Sequence, residues 1–119
     1  MRTHFPAYLT DAPNDVGDLV LPEVAPASEP VWHLYVVRTS DPAALASFLA
    51  ARGVATGRHY PIPVHLLRAF RSLGAGEGSF PVAEAVAREG LSLPMFPGMT
   101  EDELDSIVGG VRAYFARGV

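Results

Sequence analysis

The sequence predicts an α+β or α/β fold, a small sheet with helices packed on it. Three observations carry that reading. Runs rich in β-branched and aromatic residues alternate with helical periodicities in the order strand, helix, strand, helices, strand, helix. Most of the eleven prolines and eleven glycines fall between those runs or at their ends, which keeps most elements short. The chain of 119 residues, 49% hydrophobic and without internal repeats, is long enough to bury about two-thirds of its unfolded surface in one core.

Residues 1–30 read as a lead-in. Pro6, Pro13, Pro22, Pro26 and Pro30 interrupt every helical pattern there, and only Leu19, Val20 and Leu21 suggest a short strand. Residues 31–37, Val-Trp-His-Leu-Tyr-Val-Val, are apolar with few polar alternates, the pattern of a central strand covered on both faces. Asp41 can cap free N–H groups, and Pro42 suits the first helical position because its missing donor costs nothing there. A helix then runs to Arg52 with Leu45, Phe48 and Leu49 as its buried stripe, and Gly53 supplies a left-handed end. Val54, Ala55 and Thr56 form the next expected strand. Residues 57–65 cannot be helical, because Pro61 and Pro63 fix φ and push Tyr60 and Ile62 into extended geometry. A short helix over residues 66–73, a glycine-rich turn over 74–78 and a helix over 81–89 ending at Gly90 follow. Leu91, Ser92 and Leu93 make a brief strand. Thr100 and Glu103 form a capping box that starts the last helix, whose apolar face is Leu104, Ile107, Val108, Val111 and Phe115. Arg112 and Arg117 suit the negative end of its dipole, and Gly109 and Gly110 each weaken it by about 1 kcal/mol relative to alanine.

Charge and composition exclude several functions. A net charge of −4 with no basic block offers no stripe to replace the counterions of a nucleic acid, so no nucleic-acid partner is expected. All nine basic residues are arginine, and without lysine this chain cannot form a Schiff base or supply a Walker A amine. The absence of cysteine removes disulfides, thiolate metal sites and a cysteine nucleophile. No window approaches the roughly twenty apolar residues of a membrane span, and the first thirty residues hold no secretory h-region, so a cytoplasmic setting and no membrane partner are expected.

His59 is the leading candidate for a ligand contact. It stands between Arg58 and Tyr60 on a loop stiffened by two prolines, which is how side chains are aimed at a ligand. The competing reading is a turn histidine bonded to a carbonyl. Arg58 offers a planar fork of donors suited to a phosphate or carboxylate, against the commoner solvated surface arginine. His59 and His65 are not expected to bind metal, because their spacing across two prolines matches no usual ligand pair and no carboxylates cluster nearby. Trp32, His33 and Tyr35 offer rings for stacking on a base or sugar, yet their strand reads as core. Glu84 and Glu89 have no second carboxylate placed for acid–base work, and Ser72, Ser79 and Ser92 lack a nucleophile elbow. Gly74, Gly76 and Gly78 neither follow a strand nor open a helix as a phosphate loop does, and no catalytic constellation is complete.

Three strings in order carry more information than any residue alone: VWHLYVVR at 31–38, GVATGRHYPIPVH at 53–65 and LSLPMFPGMT at 91–100. Together they resemble the DegT/DnrJ/EryC1/StrS aminotransferases over roughly residue 18 to the C-terminus. That resemblance implies an α+β domain with a small, mainly antiparallel sheet, as in the C-terminal small domain of the aspartate aminotransferase fold. It divides the chain into residues 1–30, the end of a large domain and a linker, and residues 31–119, the small domain. Residues 3–9 would be the stump of the last large-domain helix, with Pro6 departing from a helical pattern. The family's cofactor is pyridoxal phosphate, held through a lysine in the large domain, so this chain is expected to hold none alone. The family moves an amino group, usually from glutamate, onto a keto sugar attached to a nucleotide, and its complete members are homodimers. His59 and Tyr60 match its substrate-facing loop, Pro61 keeps that loop in place, and Arg58 occupies a variable position that tunes specificity or meets a phosphate. Trp32 and His33 look structural. Two functions follow: part of a sugar aminotransferase, inactive alone, or a free-standing module that binds a nucleotide sugar or a partner without catalysis.

Overall fold

The computed structural model describes residues 16–117, and the expected stump at residues 3–9 lies outside them. The elements are β1 (Tyr35–Arg38), α1 (Pro42–Ala51), two short 3-10 helices (Val64–Leu66 and Arg68–Leu73), α2 (Pro81–Glu89), β2 (Gly90–Leu93) and α3 (Glu101–Ala116). β1 and β2 pair antiparallel, with Tyr35 opposite Leu93 and Arg38 opposite Gly90. The expected small antiparallel sheet with helices on it is what the chain forms.

Local chemistry sets the helix ends where the sequence placed them. The Asp41 carboxylate accepts from the Ala44 amide at 3.1 Å, and Pro42 opens α1. At α3 the Thr100 hydroxyl accepts from the Glu103 amide at 3.1 Å while the Glu103 carboxylate accepts from the Thr100 amide at 2.7 Å. Gly53, at φ 81°, takes the left-handed conformation expected after α1. Arg117 lies at the C-terminal end of the last helix, where the sequence placed it. It is the C-cap residue of α3, and its guanidinium lies 4.1 Å from the Tyr114 ring centroid, a cation–π contact.

The strands are shorter than their sequence implied. Residues 31–34 are not in the sheet: Val31 is 95% exposed, and Trp32 turns back so that its ring lies 5.3 Å from that of Tyr35. β1 is covered on one face, with Tyr35 and Val37 buried and Val36 and Arg38 half-buried, so the reading of a strand covered on both faces is corrected. It is nonetheless flanked on both sides, because Val20 and Arg38 exchange backbone hydrogen bonds at 2.8 and 2.9 Å along its outer edge. Residues 54–56 form no ladder; the pairing there is a single bridge between Gly57 and Ser92. The helix expected over 66–73 is instead two 3-10 pieces, broken at Leu67, whose ψ of 142° is extended.

Val37, Leu45, Leu49, Leu91, Ile107 and Val111 form the centre of the core, joined by Val16 from the lead-in. α1 and α3 meet through Leu49 and Gly110. A Cβ on Gly110 would lie 2.8 Å from Leu49 Cδ2, so the glycine that weakens α3 is what lets the two helices approach. Asp18 fastens the lead-in by accepting from the Thr39 hydroxyl at 2.5 Å and the Ser40 amide at 3.0 Å. Hydrogen bonding from the Ser40 side chain first, then from the Thr39 hydroxyl, with a smaller contribution from the Ser40 amide, holds its carboxyl below the usual value.

Candidate functional site around His59

The loop from Gly57 to His65 is tied down at both ends. At its start, Gly57 donates to the Ser92 carbonyl at 3.0 Å and accepts from the Ser92 amide at 2.8 Å, which adds one rung beyond β2. At its end, His65 Nε2 donates to Glu84 Oε2 at 3.3 Å, and the His65 ring packs edge-on against Phe80. Glu84 also accepts from the Gly78 amide at 2.7 Å and the Phe80 amide at 3.0 Å. The Gly78 bond first, then those from Phe80 and His65, hold its carboxyl below the usual range. One side chain thus joins the first 3-10 helix, the glycine turn and the start of α2.

The Arg58 side chain reaches α2. Its Nη2 donates to the carbonyls of Ala87 at 2.7 Å and Arg88 at 3.3 Å. These belong to the last turn of α2, whose carbonyls have no partner within the helix. The arginine therefore pins the loop to α2.

His59 follows, and its ring is held on three sides. Nδ1 lies 2.8 Å from the hydroxyl of Ser92, a residue 5% exposed on β2. Gly57 lies against the ring, since a Cβ there would sit 2.8 Å from His59 Cε1. The Tyr60 ring meets it edge-on with centroids 5.2 Å apart, across a cis peptide bond. His59 as a residue nevertheless remains exposed. Its partner is a side-chain hydroxyl, not the carbonyl of an ordinary turn histidine.

Tyr60, Pro61, Ile62 and Val64 form one wall of an apolar groove of about 570 Å³, and Ala83, Val86 and Ala87 of α2 form the other. Arg58, His59, Tyr60 and Pro61 are thereby gathered at one place between β2 and α2, while Trp32 packs against the core and His33 is exposed. His59 and His65 have separate partners, and no three metal-ligating side chains come together among the described residues. Ser92 was missed in the sequence, where it was weighed only as a nucleophile. It lies 33 positions from His59, and the signal that joins them is the pairing of Gly57 with β2.

Residues 58–61 thus form a loop fixed on a small α+β domain, with Tyr60 and Pro61 on one wall of an apolar groove. Residues 1–112 match the model of the DegT/DnrJ/EryC1/StrS aminotransferase family, and the chain belongs to that family. It is 40% identical over 113 residues to the erythromycin biosynthesis sensory transduction protein EryC1 of Saccharopolyspora erythraea, covering 95% of this chain and 30% of that one. It is 44% identical over 97 residues to the dTDP-3-amino-3,4,6-trideoxy-alpha-D-glucose transaminase of Streptomyces venezuelae, covering 82% and 26%. The fold superposes on S. venezuelae DesV, solved in complex with a ketimine intermediate, with a TM-score of 0.88 and 40% identity over 94% of this chain and 30% of that one. The chain thus spans about 30% of the length of such relatives.

The residues present do not fit pyridoxal phosphate by themselves. The chain has no lysine to hold the cofactor covalently. The Arg58 guanidinium already donates through Nη2 to two carbonyls of α2.

Proposed function

We propose that this chain is the C-terminal small domain of a pyridoxal-phosphate-dependent aminotransferase acting on a nucleotide-linked keto sugar, with a glutamate-type amino donor. Residues 1–30 are the end of the large domain and a linker, and residues 31–119 are the small domain. The observation that carries this reading is a family match over residues 1–112 in a chain spanning about 30% of a 40%-identical relative and containing no lysine. The amine and the cofactor site belong to the remainder of the enzyme, a cytoplasmic homodimer. The chain's own contribution is to the substrate: His59 and Tyr60 contact the sugar nucleotide, and Pro61 keeps the loop extended. Arg58, with Nη2 engaged on α2, offers its remaining donors to a phosphate. The exposure of His59 beside a groove walled by Tyr60 and Pro61 supports that role.

The test is direct. The purified chain, supplied with pyridoxal phosphate, glutamate and a dTDP-linked keto sugar, is expected to give no amino transfer above buffer. Glutamate-dependent transfer by the chain alone would sink the reading.

A further inference from the structure

We infer that the Ser92 hydroxyl positions His59, fixing its neutral ring as the Nε2–H tautomer, so that the loop presents a single N–H donor to an oxygen of the sugar nucleotide. This rests on the reading of His59 as a substrate contact.

Ser92 is a rigid place from which to aim a ring. Its residue pairs with Val36 on one side and with Gly57 on the other, and both its amide and its carbonyl are used by Gly57. The backbone under the hydroxyl is thus held by two neighbouring segments. Gly57 sits beneath the imidazole so closely that no larger residue fits without moving it.

The hydroxyl also decides where the imidazole proton lies. Among the described residues, the one hydrogen-bond partner of the Ser92 hydroxyl is His59 Nδ1. Were Nδ1 protonated, Ser92 would accept, and its own O–H would be buried without an acceptor. Satisfying both groups requires Ser92 to donate to Nδ1, which leaves the ring proton on Nε2. Nε2 makes no hydrogen bond to any described residue and is the free side-chain polar atom of an exposed residue. An N–H donor there suits a phosphate, hydroxyl or carbonyl oxygen, all of which a nucleotide-linked keto sugar carries.

Long-range proton–nitrogen correlation spectra of the whole 119-residue chain read the tautomer directly, with His59 assigned by loss of its signals in His59→Gln. The expected result is a neutral His59 protonated at Nε2 in the wild type and in Ser92→Thr, and a mixture of tautomers in Ser92→Ala. A wild-type ring protonated at Nδ1, or a tautomer indifferent to Ser92→Ala, overturns the inference; the wild-type spectrum decides even if the alanine variant fails to fold. Titration with dTDP-glucose supplies the second readout, with Ser92→Ala expected to weaken binding about tenfold and Ser92→Thr to restore it. If the tautomer follows Ser92 but His59→Gln leaves binding unchanged, the substrate-contact reading fails. If His59→Gln weakens binding and Ser92→Ala does not, the reading survives and the role of Ser92 is overturned.

Discussion

Two carboxylates, Asp18 and Glu84, hold separate parts of the chain in place, and each is more acidic folded than free. A carboxyl whose pKa is depressed by folding stabilises the native state at pH values above its unfolded pKa. That contribution disappears as pH falls through the folded value. The midpoint of denaturant unfolding is therefore expected to fall as pH drops below about 4.5, the ordinary value for Glu84. Glu84→Gln should flatten that acid limb in part, and Asp18→Asn should remove a further share; an acid limb unchanged in both variants would show that other groups set it. Gly57 gives a second residue-scale prediction. Its backbone is not left-handed, so Gly57→Ala is expected to change global stability by less than about 1 kcal/mol. The added Cβ would nonetheless meet His59 Cε1 at 2.8 Å and turn the ring from Ser92. Spectra of the histidine rings should change while the unfolding midpoint stays near the wild type.

Elements whose ends depend on neighbours in sequence were legible, and those that depend on distant partners were not. Asp41 with Pro42, and Thr100 with Glu103, act within one helical turn, so their residue types alone placed α1 and α3. The extent of β1 depends on which segments lie beside it. Residues 31–34 have strand-like composition but no ladder partner, whereas Gly57, with little strand character, bridges to Ser92, and of the short strand suggested at residues 19–21 only Val20 makes a bridge. In α3 the two glycines looked equivalent in sequence and differ in the fold. Nothing lies within 4 Å of a Cβ built on Gly109, while one on Gly110 meets Leu49 at 2.8 Å. Gly109→Ala is expected to stabilise the chain by about 1 kcal/mol through helix propensity. Gly110→Ala gains the same propensity but overpacks the α1–α3 contact by about 1–3 kcal/mol, for a net loss. Denaturant midpoints of the two variants should therefore move in opposite directions, and movement in the same direction would contradict the close approach. Thr100→Ala removes the hydroxyl half of a complete capping box and should cost about 1 kcal/mol, read in the same experiment.

At the scale of the molecule, the site is divided by the fold in a way that limited what sequence could reveal. His59 was legible because two prolines two residues apart announce a stiff loop. Ser92 and Glu84 were not, because their contacts to His59 and His65 close only when α2 and β2 pack against that loop. The same packing leaves Tyr60, Ile62, Val64, Phe80 and Val82 more than half exposed, and three of them wall the groove. Contiguous apolar surface of this kind is unusual on a monomer and favours association. The chain alone is expected to self-associate as concentration rises, and sedimentation velocity measures that. Ile62→Lys together with Val82→Lys should reduce association at an unchanged unfolding midpoint, since neither side chain belongs to the core. If the double variant associates as strongly as the wild type, the groove walls are not the adhesive surface. If the wild type stays monomeric at all concentrations, the exposed face is tolerated by water, and the chain behaves as a self-sufficient module.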